Sequence, residues 1–193
     1  RYLGVITAES QRLSRLIANV LSLGQFQKAQ FSLALQHGVV DEVVARCTAA
    51  FRPALEAKSI TVHTTAHAPR TVMLDAQALE QILNNLLSNA EKYAASGGAI
   101  YIETTQAHGV STIDVRDLGP GIPASERERV FEPFYRISSK LTDGVAGTGI
   151  GLDIARQLAR QHGGDVTLQP AEAEGGGAHF RVNLRTEFVE PTP

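Results

Sequence analysis

The stretch LEQILNNLLSNAEKYA, from Leu79 to Ala94, sets two kinds of side chain on one predicted helix. Its leucines, isoleucine and alanines recur at helical spacing and define a core face, whereas Asn85, Asn89 and Lys92 follow gaps of four and three. These three polar side chains therefore share a second face, which helical geometry places roughly 130° from the core stripe. Two asparagines in mid-helix cost some stability, so helix formation alone does not explain them.

The polar face of this helix fits a phosphate and metal site. An amide oxygen suits Mg²⁺, which usually takes one or two protein oxygens and completes its shell with phosphates and water. A lysine on the same face offers a point charge to a phosphate. The alternative is an ordinary solvated helix face, and this helix alone leaves both interpretations open.

Composition places the chain among ordinary globular proteins. It has 193 residues, a net charge of −2 and one cysteine, Cys47. The length allows one sizeable core with a small accessory element. The charge gives no indication of nucleic-acid binding, and a lone cysteine excludes a disulfide framework and fits a reducing compartment. Because the chain starts at Arg1 and its apolar runs are too short for a bilayer, we interpret it as a fragment whose membrane segments, if any, belong to a longer parent.

The sequence predicts one long helix over residues 1 to about 30, within a first unit of residues 1–32. Apolar or small residues alternate at gaps of three and four from Leu3 to Gly24, which is heptad spacing. A lone helix this rich in leucine needs partner helices to be stable. We interpret it as one arm of an inter-chain bundle, with a helix packed on its own domain as the alternative.

The sequence predicts a second domain over residues 33–187, with strands and helices in mixed order, followed by a tail at 188–193. Runs of strands, rather than strict alternation with helices, indicate an α+β fold. His162 is predicted to complement the negative end of the last helix, with Gly163 or Gly164 as its left-handed cap. The predicted strands cover 31–36, 59–65, 71–75, 99–106, 111–117, 165–169 and 178–184, and the predicted helices cover 41–58, 76–94 and 150–161.

Two segments after the polar helix carry residues suited to a nucleotide. In RDLGPGIP, Asp117 ends a strand, where its carboxylate could accept from an exocyclic amine such as that of adenine. In VFEPFYRI, aromatic residues interrupt a loop long enough to be a lid, and Arg136 could reach a phosphate. The alternatives are a common Asp-Gly turn and simple packing of a helical turn.

The glycine-rich stretch GVAGTGIGLD, from Gly144 to Asp153, matches neither familiar phosphate loop. A Walker loop needs a lysine after its last glycine, and a dinucleotide loop needs glycine where this chain has Leu152. What remains is a flexible loop that leads into a helix N-terminus, whose free N–H groups and dipole favour an anion.

Four segments occur in an order and spacing that is highly specific: NNLLSNAEKY (84–93), DLGPGIP (117–123), FEPFYR (131–136) and GTGIGL (147–152). Together they resemble the N, G1, F and G2 boxes of sensor histidine kinases. ESQRLSRLIANVLSLGQFQ (9–27) resembles the second helix of that family's dimerisation and phosphoacceptor domain. The resemblance covers essentially the whole chain. It implies the Bergerat ATP-binding fold shared with gyrase, Hsp90 and MutL, a sandwich of a mixed β-sheet with helices on one face, preceded here by one long bundle helix.

The resemblance also implies ATP and Mg²⁺ as cofactors and a role for each matching residue. Asn89 would ligate Mg²⁺, and Asn85 would support the metal and the phosphates. Lys92 and Arg136 would contact phosphate, and Asp117 would accept from the adenine amino group. The resemblance also implies a lid over about 122–148, which we expect to be mobile without nucleotide. The other implied ATP-binding residues would shape the base pocket, anchor this lid or close over the phosphates: Tyr93, Gly119, Gly121, Phe131, Phe134, Gly147, Thr148, Gly149, Gly151 and Leu152. Leu118, where the family often has a small or polar residue, should be tolerated.

The family's phosphoacceptor motif, of the form H-[ED]-x-[RK]-x-P, has no match in this chain. We interpret its six histidines as surface or capping residues: His37, His63, His67, His108, His162 and His179.

The resemblance implies a full-length homodimer, joined through the bundle, whose cytoplasmic part transfers the γ-phosphoryl of Mg-ATP to a histidine. The phosphoryl group then passes to an aspartate of a response-regulator receiver domain. We expect this chain to bind Mg-ATP without phosphorylating itself, and to bind no nucleic acid. Two alternatives remain: a chaperone-like or anti-sigma ATPase of the same superfamily, and a non-catalytic module that dimerises and senses nucleotide.

Overall fold

The computed structural model of the protein describes residues 32–94, 98–137, 148–170 and 176–188. The predicted bundle helix, Gly147 and most of the tail therefore lie outside the described residues. The helices are α1 (Val40–Glu56), α2 (Ala76–Tyr93) and α3 (Gly151–Gln161). The strands are β1 (Gln36–Val39), β2 (Thr61–Thr65), β3 (Thr71–Leu74), β4 (Ala99–Ala107), β5 (Val110–Asp117), β6 (Asp165–Leu168) and β7 (His179–Arg185).

The main sheet has five strands in the order β2-β4-β5-β7-β6. β2 pairs with β4 in parallel, and the other three pairings are antiparallel. β1 and β3 form a separate antiparallel pair. The mixed sheet confirms the predicted α+β class.

One face of the sheet is covered by the helices. Along β4 and β5 every second residue is buried, including Ile100, Ile102, Ile113 and Val115, and these side chains join one core cluster with the apolar faces of α1, α2 and α3. The alternate residues, such as Tyr101, remain exposed on the opposite face. The core face predicted for α2 is confirmed, because all of its predicted apolar residues are buried.

A two-residue turn joins β4 to β5. His108 and Gly109 both have positive φ, 50° and 75°, and the strands pair directly from Ala107 and Val110 onward. Type I′ turns need positive φ at both central residues, and their twist matches that of the flanking strands. The hairpin carries Asp117 at its far end, opposite Ile100.

One sequence prediction is wrong in this part of the chain. The strand predicted over 31–36 begins only at Gln36, and residues 32–35 have no regular structure. His162 is the C-cap residue of α3, as a capping role predicts, and its Nδ1 contacts the carbonyl of Leu158 in the last turn. It is also buried, and burial lowers the pKa of its imidazole. Gly163 does take the predicted left-handed conformation, with φ of 71°. None of the helices in the described residues is both long and apolar enough to cross a membrane.

Candidate functional site

A buried carboxylate closes the end of β5. Asp117 is 6% exposed, and its Oδ1 accepts from the N–H groups of Gly119 (2.8 Å) and Ala178 (3.1 Å). Desolvation raises the pKa of this carboxyl, and the two backbone hydrogen bonds offset part of that rise. Both bonds within the described residues go to Oδ1, so Oδ2 is the oxygen left for a ligand.

The backbone passes very close to this carboxylate. A Cβ added at Gly119 would lie 2.5 Å from the carbonyl oxygen of Tyr93 and 2.9 Å from Oδ1 of Asp117, so only glycine fits there. The structure thus joins three predicted site residues, from the end of α2, the end of β5 and the following loop. The phenol ring of Tyr93 is about half exposed.

Gly177 and Ala178 belong to the same wall, and the sequence reasoning missed them. Gly177 lies against the carbonyl of Asp117 with no room for a side chain, and a Cβ added at Gly121 would lie 3.1 Å from the carbonyl oxygen of Gly177. The signal in the sequence is the run of three glycines shortly before β7, which is also typical of a hairpin between two strands. Its partner is 60 positions away in the sequence, so only the β5–β7 pairing brings the two together.

The polar face of α2 meets the beginning of α3. Asn85, Asn89 and Lys92 are all half-buried on α2, as their spacing predicts. A Cβ added at Gly151 would lie 2.9 Å from Oδ1 of Asn85, so the first residue of α3 lies directly against that carboxamide. This contact brings the N-box and G2-box segments together.

The N-terminus of α3 suits an anion. Its N-cap residue is Ile150, whose side chain cannot accept a hydrogen bond from the first turn. The first N–H groups of an eleven-residue helix, with its positive dipole end, therefore favour a negatively charged partner. Thr148, Gly149 and Leu152 are half-buried around this end, and Leu152 also packs against the core.

Phe131, within the predicted lid, is buried. Its ring meets Phe180 edge-on, with centroids 6.3 Å apart, and the guanidinium of Arg156 lies 4.6 Å from the Phe131 ring centroid. Arg156 is held in place by Asp165 and Glu128, each at 3.0 Å. Phe131 thus has the surroundings that an anchor requires.

Phe134 does not fit the same prediction. Its ring is 66% exposed, so the side chain anchors nothing within the described residues. Its backbone does, because the Phe134 N–H donates to the carbonyl of Gly149 (2.9 Å). Phe134 has φ of 66°, and Gly149, with φ of 71°, has Phe134 and Tyr135 backbone atoms 2.8 Å from where its Cβ would lie. The middle of the predicted lid is therefore joined to the residue that follows its end.

Tyr135 and Arg136 follow in the same segment. The Tyr135 hydroxyl donates to Glu126, and the guanidinium of Arg129 lies 4.2 Å from the Tyr135 ring centroid. Arg136 is half-buried. This cluster fixes the course of the chain that carries Arg136 toward the predicted lid.

The donor groups of the site fit a metal that is held mainly by phosphates. Within the described residues no three His, Cys, Asp or Glu side chains come together as a metal site. The polar face of α2 carries the amide oxygens of Asn85 and Asn89. Mg²⁺ commonly binds to one or two protein oxygens and takes its other ligands from phosphate and water.

A separate cleft of about 490 Å³ lies on the open face of the sheet. None of the predicted nucleotide residues lines it; its walls include the stacked rings of His63 and Tyr101 and the ion pair between Asp114 and Arg181. The predicted site lies instead beside the helices, at the ends of β5 and α2.

Comparison with known proteins places the chain in a family. Residues 74–187 match the family described as histidine kinase-, DNA gyrase B-, and HSP90-like ATPases. The chain is 38% identical over 156 residues to the sensor protein IrlS of Burkholderia pseudomallei, covering 81% of this chain and 33% of the relative. It is 31% identical over 193 residues to the sensor-like histidine kinase SenX3 of Mycolicibacterium smegmatis, covering 99% and 49%. The chain spans between a third and a half of these relatives.

Solved structures agree on the fold. Full-length ShkA in complex with AMPPNP has a TM-score of 0.82 at 25% identity, over 98% of this chain and 39% of that one. The mycobacterial sensor histidine kinase MprB has a TM-score of 0.70 at 28% identity, over 81% and 100%. The chain belongs to the histidine kinase-, DNA gyrase B- and HSP90-like ATPases, and within that family it carries the catalytic ATPase domain of a sensor histidine kinase.

Proposed function

We propose that this chain binds Mg-ATP and, in its full-length protein, transfers the γ-phosphoryl group to a histidine of the dimerisation domain. The observation that carries the proposal is Asp117. Two backbone N–H groups hold its Oδ1, and burial leaves Oδ2 as a single acceptor at the end of a strand. A fixed acceptor of this kind selects an amino group, as on C6 of adenine, over a carbonyl.

The base lies, in this proposal, between Asp117 and the end of α2. Gly119 and Gly121 let the backbone approach the base, and the half-exposed ring of Tyr93 covers one side. Gly177 forms the wall contributed by β7.

The phosphates lie between the polar face of α2 and the N-terminus of α3. Asn85, at the contact with Gly151, supports the phosphates from below, and the first N–H groups of α3 donate to them. Lys92 and Arg136 supply positive charge. Gly147, Thr148, Gly149 and Leu152 complete the enclosure.

Asn89 would hold Mg²⁺ through its amide oxygen, with Asn85 beside it, and phosphate and water would complete the coordination. A bound ion would supply charge neutralisation at the phosphates. Catalysis by Asn85, Lys92 and Arg136 is then positioning and charge stabilisation, because phosphoryl transfer asks for little covalent chemistry from the protein. No residue of this chain is proposed as the general base.

The finer assignments follow from the same proposal. Residues 1–32 contribute a helix of the dimerisation bundle, residues 33–187 are the catalytic domain, and 188–193 form a tail. The full-length protein acts as a homodimer with a cytoplasmic catalytic part and passes the phosphoryl group to an aspartate of a response regulator. Because no histidine of this chain has the phosphoacceptor context, the isolated chain binds Mg-ATP without phosphorylating itself.

Titration calorimetry with Mg-ATP tests the site assignment. Asp117→Ala and Asn89→Ala should each weaken binding about tenfold or more, because each removes a polar contact to a charged or buried group. Asp114→Ala and Asn183→Ala are matched controls, since both residues are half-buried on the open face of the sheet. Undiminished binding in both site variants would refute the assignment. Detection of phosphohistidine on the full-length protein would separate the proposed kinase from a nucleotide sensor or another ATPase.

A further inference from the structure

A buried carboxylate at the beginning of α2 holds two different parts of the chain. Asp75 is 6% exposed. Its Oδ1 accepts from the N–H of Ala78 (2.9 Å) as the N-cap of α2, and its Oδ2 accepts from the N–H of Ala34 (2.8 Å). The chain that enters the domain at residue 34 is therefore fastened directly to the first turn of the helix that carries Asn85, Asn89 and Lys92.

The end of α3 is fastened to the same residue. The Asp75 N–H donates to Nε2 of His162 (3.3 Å), and Nδ1 of His162 contacts the carbonyl of Leu158 (3.2 Å). A ring nitrogen that accepts cannot carry a proton, so the imidazole is neutral with its proton on Nδ1. His162 is 4% exposed, and its own carbonyl accepts from the N–H of Arg185 on β7 (3.0 Å). We call Ala34, Asp75 and His162, with these contacts, the entry junction.

The entry junction and the contact between Asn85 and Gly151 are separated along the same two helices. Asp75 begins α2 and His162 follows α3, whereas Asn85 and Gly151 meet about 15 Å further along, at 1.5 Å per residue. A small rotation of one helix against the other at the junction therefore moves the amides of α2 relative to the N-terminus of α3. The placement of the two helices is thus defined by contacts at the entry junction and by the contact between Asn85 and Gly151.

Capping alone does not account for these groups. Serine, threonine or asparagine would cap α2 as well as aspartate, without the cost of burying a charge. The second carboxylate oxygen of Asp75 accepts from the N–H of Ala34, and the neutral ring of His162 accepts from the N–H of Asp75. These two hydrogen bonds connect the entering chain and the end of α3 to the start of α2.

We infer that the entry junction is a positioning device that sets the affinity for nucleotide: Asp75 and His162 hold α2 and α3 in the relative placement that binds Mg-ATP, and the chain entering at Ala34 can change that placement. The inference rests on the proposed function. A signal from the segment before residue 34 would act through the Ala34 N–H and Oδ2 of Asp75, and not through the phosphates or the base.

A double-mutant cycle on the full 193-residue chain tests the inference. Ala34→Pro removes the donor, and Ala34 is exposed and outside any helix or strand. Asp75→Ser keeps an N-cap for α2 but is too short to reach residue 34 as well. We expect each single variant to weaken Mg-ATP binding about fivefold by calorimetry, and the double variant to be no weaker than either. His162→Phe, which keeps a ring and removes both hydrogen bonds, should give a similar loss.

Asp41→Ser is the matched control. Asp41 is also an acidic residue near a helix N-terminus whose oxygens accept from another part of the chain, the N–H of Ala68 (2.9 Å) and Oγ1 of Thr104 (2.5 Å), but it lies on α1. We expect it to lower the melting temperature without changing the Kd for Mg-ATP. Unchanged affinity in the single variants, or effects that multiply in the double variant, would overturn the inference.

A variant that does not fold, a wrong proposed function and a wrong inference about the entry junction each give a different result. If Asp75→Ser does not give a cooperative melting transition, Asp75→Asn replaces it in the cycle, because its Oδ1 keeps the cap and its amino group opposes the Ala34 N–H. A wild-type chain that does not bind Mg-ATP would refute the proposed function before the cycle begins. If the wild-type chain binds Mg-ATP but the variants of the cycle leave its affinity unchanged, only the inference about the entry junction is refuted.

Discussion

Asp117→Asn exchanges one acceptor for a donor at the position that we propose for adenine recognition. The two N–H groups of Gly119 and Ala178 need an acceptor, so the amide oxygen of the variant must take the place of Oδ1. Its amino group then takes the place of Oδ2 and faces the ligand. The change is isosteric and leaves the backbone of this wall intact.

The expected magnitudes follow from these contacts. Mg-ATP loses a hydrogen bond to a charged acceptor and meets a second donor, which together cost about 2–4 kcal/mol, or roughly 30- to 1,000-fold in Kd. Inosine triphosphate presents a carbonyl at the position of the adenine amino group, so its pairing improves in the variant and is poor in the wild type. The ratio of the two affinities should therefore invert.

Stability should move the other way. Burial raises the folded-state pKa of Asp117 above its unfolded value. The protonated carboxyl group therefore contributes stability that is fully present below the unfolded pKa and is lost as pH rises through the folded pKa. At pH 7 the charged group is thus unfavourable in the nucleotide-free domain. A neutral amide removes this cost, and the variant should melt at the same temperature or higher.

The assay is titration calorimetry of wild type and Asp117→Asn with Mg-ATP and with Mg-inosine triphosphate, next to thermal denaturation of both chains. A variant that binds ATP within about twofold of wild type, well inside the cost of an opposed donor pair, would refute the reasoning. So would an unchanged ratio of inosine triphosphate to ATP affinity. A lowered melting temperature would contradict the conclusion that the buried charge of Asp117 destabilises the nucleotide-free domain.

Three further outcomes are expected. Burial lowers the pKa of His162, so its stabilising contribution should be complete above about pH 6.5 and lost as pH falls below that value; melting temperatures from pH 8 to 5 should show this loss, and His162→Gln should reduce it. Gly149→Ala should lower the free energy of unfolding by more than the roughly 1–2 kcal/mol cost of a left-handed alanine, whereas Gly98→Ala, with the same positive φ and no close neighbour, should show only that cost in urea unfolding. Arg156→Ala should lower the free energy of unfolding by about 1–3 kcal/mol. Arg160→Ala should lower it by much less, because Arg160 contacts the same Asp165 carboxylate from an exposed position. Equal losses would contradict a special role for the contact of Arg156 with the Phe131 ring.

The sequence allowed the local parts of the fold to be predicted. Helical spacing from Leu79 to Ala90 identified both the core face and the polar face of α2, because both depend only on a period of 3.6 residues. The strands predicted over 99–106 and 111–117 are confirmed as β4 and β5 within one or two residues at each end. Chain segments close in sequence determine these features, so a single sequence is sufficient.

Features that depend on contacts between residues far apart in the sequence could not be predicted from the sequence. Gly177 and Ala178 complete the wall around Asp117 only because β7 pairs with β5, and nothing local distinguishes them from a hairpin. His162 has the sequence context of a charged helix end, but the packing of α3 against Asp75 makes it a buried neutral group. The exposure of Phe134 likewise depends on a backbone contact with Gly149 across the predicted lid.

The parallel pairing of β2 with β4 has a consequence for the order of folding. Asp117, which we propose to recognise the base, lies on a hairpin of residues 99–117 that closes through a two-residue turn. The helix whose amides we propose to face the phosphates lies in the crossover between Thr65 and Ala99. Hairpins form from neighbouring residues, but a parallel crossover must close a long loop first. We therefore expect the two halves of the proposed nucleotide site to form in an early and a late step. Mg-ATP, which needs both, should slow unfolding of the domain and leave its folding rate unchanged.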